Sequence, residues 1–292
     1  MTSLTNPINT NTLAKVFLVG AGPGAVDLIT VRGAKLLAIA DIVFHDALVE
    51  PEMLDLCPQA ELVAVGKRCG KLSSAQHFIN KRLVDAAQKY KIVVRLKGGD
   101  PMLFGRADEE IQALKNAGIE VEVVPGITAA LAGAASIQQS LTLRGISRSV
   151  AFVTLAQATE GIQNIVPISP ISTPNADTLI YYMGRKDASR IAQQLITQRN
   201  TGGIHNEDTP VQILEAVSTP RERLWASTLA ELAKGKADTW FDSHSPALIM
   251  VGEALGGRSN KPQNTSDLEG PNSEIDNSLQ NSQILTNGRR RA

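Results

Sequence analysis

The sequence predicts an α/β protein built from two α/β domains, and three observations carry that expectation. Short apolar runs alternate with helix-length segments, the pattern of a largely parallel sheet. The runs stop at glycines or at polar pairs such as His45-Asp46, so loops suited to ligands follow strand ends. Pro125-Gly126 then breaks the chain into a first block, 15–126, and a second, 127–256.

Each element has its own warrant. Val16-Phe17-Leu18-Val19 is a short apolar run stopped by Gly20, which reads as a buried strand. A helix follows over Val31–Ala40, with Thr30 placed to cap it. Ile42-Val43-Phe44 gives a second strand, and Leu62-Val63-Ala64-Val65 a third, ending at Gly66-Lys67-Arg68. Ser73 or Ser74 is placed to cap a helix running to Lys89, and Ile92–Leu96 is a fourth strand. A helix over Ala107–Ala117 ends before Gly118, and Glu120–Val124 is a fifth strand. The second block has an alanine-rich helix at Thr128–Ile137. Strands are expected there at Val150–Thr154, Thr178–Met183, Val211–Leu214 and Ala247–Val251.

Other segments read as irregular. Thr159–Asp177 carries Pro167, Pro170 and Pro174 and reads as a surface insertion within the second domain. Residues 1–14 and 257–292, polar and poor in large apolar side chains, are expected to be disordered.

Composition narrows the function classes. The 292 residues are 43% hydrophobic and 20% charged, as in a globular protein. Lysine plus arginine and aspartate plus glutamate number 29 each, so no global field points to nucleic acid or to an anionic membrane. Cys57 and Cys69 make neither a disulfide framework nor a metal site, and His45, His77, His205 and His244 have no ligand spacing. No metal is expected. The first residues lack the basic-then-apolar pattern of a signal peptide, and no apolar run approaches spanning length. The expected compartment is the cytoplasm.

Two loops carry chemistry. Gly20-Ala21-Gly22-Pro23-Gly24-Ala25 follows the first strand, and Asp46 lies about twenty residues on, which matches a dinucleotide fingerprint. A nicotinamide-dependent oxidoreductase is therefore one reading. Against it, Pro23 interrupts the motif and Val26–Ile29 separates it from the helix, so no helix end meets a pyrophosphate. Arg95-Leu96-Lys97-Gly98-Gly99-Asp100-Pro101 begins at another strand end. Its glycines expose backbone to a ligand, Asp100 accepts from hydroxyl or ammonium groups, and Lys97 and Arg106 flank it with positive charge.

With five further segments, these loops resemble the tetrapyrrole methylase family. The others are His45-Asp46-Ala47-Leu48-Val49, Val65-Gly66-Lys67-Arg68, Val124 to Ala129, Tyr182-Met183-Gly184, and Pro246 to Glu253. The resemblance runs from Lys15 to Leu255 and includes Phe104-Gly105-Arg106. It implies two α/β domains with the active site in the cleft between them, and a homodimer. It implies C-methylation of a tetrapyrrole, uroporphyrinogen III, by two transfers from S-adenosylmethionine, on the route through precorrin-2 to sirohaem or cobalamin. Another precorrin methylase of the same fold is the alternative.

The resemblance also implies contacts to S-adenosylmethionine at Pro23, Gly98, Gly99, Asp100, Leu103, Thr128, Ala129, Met183, Val217 and Ala247. It puts Asp46 in the position of proton acceptor and Lys67 in that of donor. Arg68, Arg106 and Arg144 are read as partners for substrate carboxylates, which arginine grips bidentately. Nothing resembles a basic groove for RNA, and no N-terminal extension of the kind that adds dehydrogenase and ferrochelatase activity is seen, so methylation alone is expected.

The match departs at four places. The family's His-Arg-Asp is Leu143-Arg144-Gly145, its Val-Thr-Gly-His is Val153-Thr154-Leu155-Ala156, its Glu-Arg-Gly-Thr is Glu215-Ala216-Val217-Ser218, and the acidic residue after Gly24 is Ala25. These departures touch the substrate side more than the methyl-donor side.

Overall fold

The computed structural model describes residues 14–65, 72–155 and 174–257, with the side chains of residues 72–75 left aside. The expectations for 1–13, for most of the insertion and for the C-terminal tail fall outside these residues, as do Lys67 and Arg68.

The first sheet contains β1 (Lys15–Gly20), β2 (Ile42–His45), β3 (Glu61–Ala64), β4 (Ile92–Lys97) and β5 (Glu120–Val124), in the order β3-β2-β4-β1-β5. Every pairing in it is parallel. The helices α1 (Val31–Ile39), α2 (Leu72–Ala87) and α3 (Ala107–Asn116) make the crossovers. Strand alternation explains the layering. Phe17 and Val19 of β1 pack with Leu37 of α1, while Val16 and Leu18 pack with Leu83 of α2 and Leu114 of α3. Both faces of β1 are thus covered, which is why it reads as an unbroken apolar run. The α2 helix begins at Leu72, ahead of both serines expected to cap it.

The second sheet contains β6 (Val150–Thr154), β7 (Thr178–Tyr182), β8 (Pro210–Glu215), β9 (Arg223–Thr228) and β10 (Ala247–Gly252), in the order β6-β7-β10-β8-β9. Here the expectation of a largely parallel arrangement fails. Only β6 and β7 run parallel; β7–β10, β10–β8 and β8–β9 are antiparallel. For β8–β9 the reason is that the one strand turns directly into the other through residues 216–222, a connection too short for a parallel crossover. Two helices cover one face, α5 (Ala188–Gln198) and α6 (Leu229–Ala233), and α4 (Ala129–Ser136) lies on the other. Ala130, Ala132 and Ala134 of α4 meet Ile180, Leu214 and Met250, so small side chains let this helix sit close to the sheet. Among the described residues no helix is long and apolar enough to cross a membrane.

Candidate active site

The loops at the C-terminal ends of β1 and β4 are fastened to each other. Ala21 N–H donates to the Lys97 carbonyl at 2.8 Å, and Gly22 and Gly99 exchange backbone bonds at 3.2 and 2.7 Å. β1 lies between β4 and β5, and the loops after β1 and β4 leave the same end of this parallel sheet, where ligands of such sheets bind. A Cβ on Gly20 would stand 2.6 Å from the Gly126 Cα, and one on Gly126 would overlap the Gly99 carbonyl oxygen. Three loops therefore approach backbone to backbone, which only glycine permits.

Asp100 pins this junction. Its Oδ1 accepts from Met102 N–H and its Oδ2 from Gly126 N–H, both at 2.8 Å. The carboxylate expected to meet a ligand thus already holds the loop after β4 to the segment before α4. The loop continues through Leu103, which is half-buried, to Phe104 and Arg106, both in left-handed backbone at φ 53° and 56°. Arg106 stands at the N-cap of α3 and its guanidinium grips Glu109 with two bonds, at 2.6 and 2.7 Å.

The glycine loop after β1 does not open a helix. Pro23 is half-buried between Gly22 and Gly24, a single 3-10 turn follows at Val26–Leu28, and α1 starts only at Val31. Thr30 caps it, accepting from Gly33 N–H at 3.1 Å. The geometry lacks the helix end that a dinucleotide pyrophosphate would meet, and this removes the physical basis of the nicotinamide reading.

Asp46 directly follows β2, whose Phe44 pairs with Arg95 on the neighbouring strand. Its Oδ1 accepts from Leu48 N–H at 3.0 Å and its Oδ2 from Gly98 N–H at 3.2 Å. Beneath this loop lies a charge cluster that the sequence reading did not foresee. Arg95, Lys97 and Glu110 are all buried; Arg95 Nε donates to Glu110 Oε1 at 3.1 Å and Lys97 Nζ to Glu110 Oε2 at 2.9 Å. Gln76 adds a bond to Glu110 at 3.3 Å. Lys97 therefore does not flank the loop with free charge, as expected, but anchors it from below. Burial, reinforced by the Arg95 charge, pushes its ammonium below the ordinary lysine value. A signal was present: Arg95 and Lys97 alternate within an apolar strand, and Glu110 shares the buried face of α3 with Ala107 and Leu114.

The second sheet presents Met183, Val217 and Ala247 at one end, since β7 and β8 finish where β10 begins. Met183 is left-handed, at φ 57°, and exposed; Val217 is buried and Ala247 half-buried. This end meets the loops of the first sheet. Ala25 N–H donates to Ser218 Oγ at 3.1 Å, a Cβ on Gly24 would come within 3.0 Å of the Val217 carbonyl oxygen, and Arg221 pairs with Glu50 at 2.7 Å. Thr128, the N-cap of α4, is bonded to the Tyr182 hydroxyl at 2.5 Å, with Ala129 opening the helix beside it. Tyr182 also stacks at a tilt on Phe104, ring centroids 5.2 Å apart. The roles of Tyr182 and Ser218 were invisible in the sequence, because both act across the junction between sheets.

One predicted residue stands apart. Arg144 is exposed in a tight turn closed by Leu143 and Ser147, and Leu141 ties that segment to Thr178 at the start of β7, the end opposite Met183. Among the described residues no group of three His, Cys, Asp or Glu gathers as a metal site.

Residues 15–233 match the family model of the tetrapyrrole (corrin/porphyrin) methylases. The siroheme synthase of Pseudomonas fluorescens (strain Pf0-1) is 42% identical over 245 residues, covering 84% of this chain and 51% of its own. The chain thus spans about half the length of the siroheme synthases it matches. The uroporphyrinogen-III C-methyltransferase of Pseudomonas aeruginosa is 41% identical over 243 residues, covering 82% of this chain and 93% of its own. Among solved structures, the uroporphyrin-III C-methyl transferase of Thermus thermophilus complexed with S-adenyl homocysteine superposes with a TM-score of 0.67. It is 35% identical over 83% of this chain and 94% of its own.

Proposed function

The chain belongs to the tetrapyrrole methylase family, and from that premise we propose that it methylates uroporphyrinogen III twice to give precorrin-2, using S-adenosylmethionine. The observation that carries the reading is that the glycine loop after β1, fastened to Gly99 through Gly22, meets the Val217–Ser218 end of the second sheet at Gly24 and Ala25. That junction fits an adenosylmethionine in chemistry: apolar side chains at Leu103, Met183 and Val217, and backbone carbonyl groups at Pro23 and Gly98. Thr128 and Ala129 close it at the start of α4, with Asp100 holding the loops in register.

When bound, S-adenosylmethionine supplies an electrophilic methyl on a sulfonium. The chain's own work is to line up an electron-rich ring carbon behind that methyl and to take the proton the ring gives up. Asp46 is the acceptor in this reading, its carboxylate held at the loop after β4 by Gly98 N–H. Lys67 is the proton donor. Arg68 and Arg106 meet substrate carboxylates, for which Arg106 must share or exchange its hold on Glu109, whereas Arg144, at the far end of β7, is left out of this reading. The reading extends to a homodimer working in the cytoplasm.

The test is anaerobic incubation with uroporphyrinogen III and methyl-labelled S-adenosylmethionine, followed by mass analysis. A product with two added methyls is expected. A second reading, a precorrin methylase of the same fold, is favoured by the Leu143–Gly145 departure and is separated by offering precorrin substrates in parallel.

A further inference from the structure

Among the described residues three helices start at threonine N-caps, and they use the hydroxyl differently. Thr30 Oγ1 accepts from Gly33 N–H and Thr228 Oγ1 from Glu231 N–H, the ordinary arrangement. Thr128 makes no such cap. Its hydroxyl is bonded instead to the Tyr182 hydroxyl, at 2.5 Å, and the same Tyr182 oxygen accepts the Ala130 N–H at 3.2 Å. The cap of α4 is therefore completed by a residue of β7.

Tyr182 is itself held from two sides. Phe104 lies 5.2 Å away at 59°, reaching it from a left-handed backbone that a bulky residue rarely adopts, and Phe152 lies 6.1 Å away edge-on. Burial keeps the phenol protonated, so it remains a donor as well as an acceptor. Tyr182 thus joins three segments assigned to the methyl donor: its hydroxyl ties the first turn of α4 to the end of β7, and its ring packs on the loop after β4 at Phe104.

We propose that Tyr182 is a positioning residue for the methyl donor, its hydroxyl setting Thr128 and the first turn of α4 against the glycine loop. The inference rests on the methyltransferase reading above. It is tested by calorimetric titration with S-adenosylhomocysteine of the wild type, Tyr182→Phe, Thr128→Val, the double variant and Thr128→Ser. Each single variant is expected to weaken binding about five- to tenfold, the usual worth of one such bond. The double variant should be no weaker than Tyr182→Phe alone, which already deletes the Thr128 link together with the Ala130 N–H bond. Thr128→Ser, which keeps the hydroxyl, should restore wild-type affinity. In steady state KM for S-adenosylmethionine should rise while kcat holds. Wild-type affinity in Tyr182→Phe, or losses that multiply in the double variant, would overturn the inference. A wild type that binds no S-adenosylhomocysteine would overturn the methyltransferase reading and the inference with it.

Discussion

The Asp46 carboxylate accepts the backbone N–H of Gly98 at 3.2 Å, so the loop after β2 and the glycine loop after β4 share one hydrogen bond at the carboxyl end of the first sheet. Gly98 has no side chain to intervene: a Cβ there would stand 2.8 Å from Leu48 Cβ. The bond gives Asp46 a fixed direction while leaving acceptor capacity on both oxygens.

Asparagine at position 46 separates the two uses of this group. Its side-chain oxygen can still accept from Gly98 N–H, at the expense of the Leu48 N–H bond, but it is not a base. We expect Asp46→Asn to bind S-adenosylhomocysteine within about twofold of wild type and to lose roughly 100-fold or more in kcat, the usual contribution of a positioned base. Calorimetry and a methyl-transfer assay on the same preparation check both halves. Unchanged turnover would remove Asp46 from the chemistry.

The glycines predict two different penalties. Gly126→Ala forces a Cβ into the Gly99 carbonyl oxygen, and backbone cannot yield as a flexible side chain does. A loss of about 3 kcal/mol is expected, at the upper end for overpacking, together with weakened S-adenosylhomocysteine binding because the same contact shapes the junction. Gly118, at φ 71°, has nothing within 4 Å of a built Cβ, so Gly118→Ala meets only the conformational cost of about 1 kcal/mol. Urea unfolding of the two variants should rank them in that order, with ligand binding intact in the second.

Much of the first sheet was legible because its strands are buried on both faces and advertise themselves as apolar runs. Val16–Val19 and Ile92–Leu96 fell within one residue of β1 and β4. The β9 strand escaped notice because it is an edge strand, Arg-Leu-Trp-Ala-Ser-Thr, with every residue half-buried or exposed. The helical stripe Ala188, Ile191, Ala192 and Leu195 does carry the period that α5 obeys. Sheet order and strand direction were not legible, since they depend on which crossovers pack. The same limit governs the site. Glycine loops at strand ends could be read locally, whereas the Thr128–Tyr182 and Ala25–Ser218 bonds join residues 54 and 193 positions apart.

The buried cluster predicts an asymmetry. Two cations share one carboxylate, so Glu110→Gln strands both charges without a counter-ion and should cost about 3–5 kcal/mol. Lys97→Met leaves the Arg95–Glu110 pair one to one and should be neutral or stabilising at pH 7. The pH dependence follows from the lowered Lys97 value. Below that folded value the unfolded and folded chains both carry the proton, and burying the charge costs stability. As pH rises toward the ordinary 10.5 the folded chain sheds its proton first and the cost fades. The advantage of Lys97→Met over wild type should therefore shrink between pH 7 and pH 10 in urea unfolding. A gap that widens would contradict the assignment.

His205 gives the acid limb. It is buried on the segment leading into β8, and its Nε2 lies 2.9 Å from the Ala176 carbonyl oxygen, so the neutral ring donates there. Burial pushes its value below the ordinary 6.5, against the smaller opposite pulls of that carbonyl, Glu253 and Asp177. With the folded value lowered, the unfolded chain binds the proton first as pH falls. Stability from the neutral ring is thus complete above 6.5 and is lost progressively below it, toward a limiting slope of about 1.4 kcal/mol per pH unit. Urea unfolding between pH 7.5 and 5.0 should show this loss in wild type. His205→Gln, which keeps an N–H for Ala176 but has no proton to gain, should show a flatter curve over that window, at some cost in stability at pH 7.5. Parallel curves for the two proteins would mean that His205 does not contribute to the acid limb.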